Sequence, residues 1–116
     1  MRCIIYAASA AFLLAAGPAA AQDYSALDLL KPCTEADNDA RWGDVAELEC
    51  EQYILGFIQA LQASGDTTVC APVENTEDEA RWAYMRWIHA DYTKRKALSA
   101  SDALLATLRE NFTCGN

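Results

Sequence analysis

Four cysteines, Cys33, Cys50, Cys70 and Cys114, are spread through a chain whose first 21 residues read as an export signal. Together these features limit the mature protein to a small domain closed by disulfides in an oxidising compartment. The signal reading rests on basic Arg2, an apolar stretch from Cys3 to Ala16, and the small residues Ala19, Ala20 and Ala21 before Gln22. That stretch is shorter than the roughly 20 residues a spanning helix needs and is followed by Gly17-Pro18, so cleavage after Ala21 is expected in place of a membrane anchor. No cysteine follows the small residues as a lipoprotein signal would require, and Cys3 leaves with the signal.

Cleavage would leave residues 22–116, 95 residues of the 116, which is one domain by length. Losing Arg2 leaves 8 basic residues against 17 acidic ones, a formal charge of minus 9. Such a surface repels nucleic acid and anionic membrane and would suit a basic protein partner, although acidity alone also keeps a small exported protein soluble. The four remaining cysteines contain no C-x-x-C pair and His89 is the only histidine, so two disulfides are expected and no zinc site. A mature chain this short buries limited apolar surface, which makes covalent closure matter to its stability.

The pattern along the chain is helical, with almost no strand signal. Ser25 with Asp28 starts a short helix through Leu27, Leu29 and Leu30 that is expected to stop near Pro32. Residues 34–43 read as a polar loop. Asp44 with Glu47 begins a longer helix in which Cys50, Tyr53, Ile54, Phe57, Ile58 and Leu61 share one face, opposite Glu51, Gln52, Gln59 and Gln62, with Gly65 as terminator. Gly56 within it costs roughly 1 kcal/mol relative to Ala at an exposed site, which argues for a close-packed neighbour there.

Thr76 with Glu79 opens the third helix, through Ala80, Ala83, Tyr84, Trp87 and Ile88. Trp82 and Met85 widen its apolar band, so it either sits centrally or presents aromatic surface to a partner, a second copy included; central packing is the simpler reading. The only basic run, Lys94-Arg95-Lys96, is expected at the C-terminal end of that helix, where it complements the dipole. Ser99 with Asp102 starts the last helix, with Ala103, Leu104, Leu105, Leu108 and Phe112 inward. The fold expected is an all-α, disulfide-stapled bundle of three longer helices plus a short N-terminal one.

If the longer helices run up, down and up, Cys70 and Cys114 meet at the top and Cys33 is left for Cys50. Joining Cys50 to Cys70 would bridge a helix of about 15 residues, roughly 22 Å, whereas bonded cysteines have Cα atoms within about 7 Å. Cys33 joined to Cys70 is the pairing that would contradict this layout. Catalytic groups are sparse: the thiols are expected to be oxidised, His89 has no nucleophile partner in sequence, the carboxylates fall at helix starts and on solvated faces, and no Gly-rich phosphate loop occurs. The residues describe a binder without catalytic, cofactor or metal ligands, and the Asn111-Phe112-Thr113 sequon reads as coincidence.

The run Cys50-Glu-Gln-Tyr53-Ile-Leu-Gly56, then Cys70-Ala-Pro72, Trp87-Ile88-His89 and Asn111-Phe112-Thr113-Cys114 resembles the Tai and Rap family of periplasmic immunity proteins. The likeness spans about Cys33 to Cys114; Ala90 and Thr113 stand where that family often has proline. It implies a helical periplasmic protein, not an enzyme, whose partner is a cell-wall amidase effector of type VI secretion and which blocks the amidase cleft. The matched positions are cysteines and core, so the motif carries over no toxin contact; Glu74 to Glu79 and Lys94 to Lys96 are the charged candidates. Gly56-Phe57-Ile58-Gln59-Ala60-Leu61 also resembles the central helix of the HdeA acid-stress chaperones, the alternative reading, although two disulfides oppose the unfolding such chaperones need. A third reading is an envelope protein of the same fold with a role unrelated to secretion.

Overall fold

The computed structural model describes residues 23–37 and 43–115. The export signal and residues 38–42 of the expected loop lie outside them. Five helices follow in order: α1 (Ala26–Glu35), α2 (Gly43–Ala63), α3 (Thr76–Ala90), α4 (Tyr92–Arg95) and α5 (Ala100–Asn111). The fold is the all-α bundle expected, with one extra turn of helix, α4. Among the described residues no helix is long and apolar enough to cross a membrane.

Helix α1 starts where Ser25 and Asp28 form a full capping box: the Ser25 hydroxyl accepts from Asp28 N, and the Asp28 carboxylate accepts from Ser25 N. It does not stop at Pro32 but runs on to Glu35. Pro32 has no N–H for the Asp28 carbonyl one turn back. The Tyr24 hydroxyl lies 3.2 Å from that carbonyl and 3.0 Å from Glu49 Oε1 and shares its one proton between them, which gives the abandoned carbonyl a partner and lets the helix tolerate the proline. Residues 34 and 35, expected in the loop, are therefore helical.

Helix α1 packs against α2, α3 and α5, and α3 against α1, α2, α4 and α5, so these two helices form the centre of the bundle. Leu29, Leu30, Ile54, Ile58, Tyr84, Ile88, Leu104 and Leu108 form a continuous core, and the buried Tyr84 hydroxyl donates to Ala26 O at 2.7 Å. The starts of α1 and α5 are laced together by Ala26 N to Leu98 O and Ala100 N to Tyr24 O, both 2.8 Å. Ser99 caps α5 through Asp102 N, as its S-x-x-D spacing predicts.

Three local expectations need correction. Gly56 is exposed, and a Cβ there would meet nothing within 4 Å among the described residues, so no close neighbour among them explains it. Thr76 is the first residue of α3, not its cap: Asn75 precedes it in the left-handed region (φ 50°), and the Thr76 hydroxyl donates to Pro72 O. Helix α3 sits centrally, as the simpler reading held: it packs against every other described helix, with Tyr84 and Ile88 in the core, while Trp82, outside that stripe, is 43% exposed. Lys94 and Arg95 form the separate turn α4 with Lys96 at its C-cap, where Asp91 breaks the helix path (φ −148°).

The disulfides are Cys33–Cys50, with Cα atoms 4.9 Å apart, and Cys70–Cys114, 5.0 Å apart. These are the pairs that the helix layout favours, but strict up, down and up alternation is not what joins the second. Trp87 in the last turn of α3 donates to Glu110 in the last turn of α5, so those two helices meet at their C-terminal ends. Cys70 and Cys114 are brought together by an antiparallel bridge, Val69 with Thr113, in which Cys70 N donates to Phe112 O at 2.8 Å.

Candidate interaction surface

Of the cysteines singled out by the sequence, Cys33 and Cys50 are fully buried, Cys70 is exposed and Cys114 is half-buried. All four are oxidised and none is available as a nucleophile or ligand. Among the described residues no group of three or more His, Cys, Asp or Glu side chains could hold a metal ion. His89 is exposed, its ring stacked 5.9 Å from Tyr92. What the fold builds is surface for binding, in three regions.

The first is an open groove of about 930 Å³ between α1 and α2, lined by Asp23, Asp28, Glu35, Glu49 and Tyr24 with Lys31 as its one cation among the lining residues. Tyr24 anchors it: the hydroxyl donates to Glu49 Oε1 at 3.0 Å, and its ring lies 5.4 Å from that of Tyr53. Burial, and then the Glu49 carboxylate, push the Tyr24 hydroxyl well above its usual pKa, so it remains a donor. The Ser25 backbone N–H, and then its hydroxyl, hold the Asp28 carboxyl below the ordinary carboxylate range. A groove with this balance suits a basic or hydrogen-bonding segment of another protein. Val45 and Leu48 on α2 are 60% and 59% exposed, which puts apolar surface on the same helix that lines the groove.

The second region is the connection into α3. Glu74, Asp78 and Glu79 are exposed there, and Val73 is 97% exposed. Behind them Arg81 is buried, with Nη1 2.9 Å from Asp37 Oδ1 and Nη2 3.3 Å from Asp78 Oδ1. Glu51 faces this pair, and burial, with Glu47 and Asp78 adding to it, raises its carboxyl above the usual range. The third region is the basic turn. Arg95 donates to Trp87 O at 2.6 Å and lies 3.9 Å over the Trp87 ring, and Lys96 sits 5.1 Å over Tyr92. Two of its three cations are thus engaged within the chain, and Lys94 is the exposed one.

Sequence reasoning named the second and third regions and missed the first. The groove is made by Tyr24 and Glu49, 25 residues apart, and only the packing of α1 on α2 joins them. The Asp78–Arg81 pair was open to an i, i+3 reading, but Asp37 was not.

A family model described as Rap1a immunity proteins matches residues 25–114. No curated protein and no solved structure matches the chain.

Proposed function

The chain belongs to the Rap1a immunity protein family, and we propose that it is an exported periplasmic protein that binds a peptidoglycan amidase delivered by type VI secretion and blocks its catalytic cleft. The observation that carries this reading is the extent of the family match: residues 25–114 take in all five helices and both disulfides. Two disulfides suit an oxidising compartment, and residues 1–21 read as the signal that would deliver the chain there. Occlusion needs a preorganised surface and no reacting group. The α1–α2 groove is the face we assign to the toxin, because Tyr24 and Ser25 hold two of its carboxylates, Glu49 and Asp28, in place and it presents four acidic side chains against one lysine.

The test is to express this chain in the periplasm together with the cell-wall amidase encoded beside it. Rescue of growth and co-purification of the two proteins are expected. Absence of both for every co-encoded amidase would overturn the reading. Reversing charge with Asp28→Lys and Glu49→Lys together should slow association by about tenfold or more at low salt, and an unchanged rate would remove the groove as the contact face.

A further inference from the structure

The two disulfides sit in opposite surroundings. Cys33 and Cys50 are 0% exposed and belong to the core cluster with Leu29, Leu30 and Ile54, so a reagent reaches their sulfurs only if α1 comes away from α2. Cys70 is exposed and Cys114 half-buried, and neither lies in a helix. Their surroundings do not depend on the bond alone. Asp66 accepts from Thr68 N, Val69 N and the Thr68 hydroxyl, its carboxylate lies 3.9 Å from Arg109, and Cys70 N donates to Phe112 O. Helix α5 is held independently by Ala103, Leu104 and Leu108 in the core.

Thiol exchange requires a thiolate to reach a disulfide sulfur, so access separates two bridges of similar chemistry. We propose that Cys70–Cys114 is a thiol-exchange site, opened by a dithiol reductant while Cys33–Cys50 stays closed and the bundle stays folded. One thiolate of the reductant attacks a sulfur of the pair; the S–S bond breaks, and the departing cysteine leaves as a thiolate that takes up a proton. The second thiol of the reductant then attacks the mixed disulfide and releases the other cysteine. Two electrons and two protons pass to Cys70 and Cys114, and the reductant departs as a disulfide. Opening removes the covalent tie between the α2–α3 connection and the C-terminal turn and leaves the α1–α2 tie intact. The inference does not depend on which partner the protein binds.

The experiment is graded dithiothreitol treatment of the folded mature chain, quenching with iodoacetamide and peptide mapping of the labelled cysteines. Cys70 and Cys114 should label at least about tenfold faster than Cys33 and Cys50, since the first pair needs at most local opening and the second needs the core to open, with the helical circular dichroism retained. Labelling of all four at one rate, or of Cys33 and Cys50 first, would overturn the proposal. A variant with Cys70→Ser and Cys114→Ser provides the second measurement. It should keep its helicity, and its remaining bridge should resist dithiothreitol concentrations that open Cys70–Cys114 in the unaltered chain; loss of either property would also overturn it.

Discussion

Arg81 carries a full charge into a side-chain environment that is only 7% exposed. It is held by Asp37 and Asp78, with Cys33 O 3.5 Å from Nη1, while Nε has no hydrogen-bond partner among the described residues. Removing one partner of a fully buried pair typically costs several kcal/mol. Here both carboxylates are about half exposed and can be rehydrated, which lowers the figure. Arg81→Ala should therefore destabilise the fold by about 2 kcal/mol, read as a lower urea midpoint. Gly56 presents the opposite case. With open space around it and an ordinary helical position, Gly56→Ala should stabilise the chain by roughly 0.5–1 kcal/mol in the same assay. A loss of stability there would mean that the glycine answers a packing need after all.

At the level of the element, helix α1 depends on its N-cap, Ser25. Ser25→Ala removes the hydroxyl that accepts from Asp28 N and should cost about 1 kcal/mol. The same change alters the response to acid. Asp28 has a depressed carboxyl in the fold, so the stability it contributes is complete above the ordinary aspartate value near about 4 and is lost as pH falls through the lower, folded value. Ser25→Ala keeps the backbone N–H and removes the hydroxyl, so it should flatten the acid limb of a stability–pH curve only in part by raising that folded value, and an unchanged limb would mean that the backbone N–H alone holds the charge. Ser25 and Asp28 were legible as a cap from their spacing, and so were Ser99 and Asp102. Pro32 was misleading, because whether a proline ends a helix depends on who satisfies the carbonyl it abandons. Tyr24 does so from just outside the helix, and no local pattern announces that. Thr76 failed as a cap for a similar reason: its hydroxyl is committed backwards to Pro72.

For the molecule as a whole, the two disulfides close loops of different length, and chain entropy alone would rank the longer as the stronger. The separations of 17 and 44 residues correspond to about 3 and about 4 kcal/mol on that argument. Burial should reverse the order. Replacing both members of Cys33–Cys50 with serine leaves two hydroxyls in an apolar core, whereas serines at 70 and 114 remain in reach of water. Thermal melts of the two double-serine variants should show the larger fall for the core pair, and the opposite order would mean that loop entropy dominates. Spacing along the chain was enough for the helical class, the apolar face of α2, two of the caps and the exclusion of a Cys50–Cys70 bond, because each rests on 3.6-residue periodicity, a side chain reaching three residues on, or a rigid helix too long to bridge. Packing across the fold is what settles that the short helix α1 lies at the centre beside α3, that the Val69–Thr113 bridge brings Cys70 to Cys114, that Arg81 is buried against Asp37, that Trp82 and Gly56 face outward, and that Tyr24 and Glu49 open a groove. These depend on which surfaces meet across segments far apart in the chain, and the physical reason is that apolar burial is non-directional: it demands that a face be covered without specifying by what.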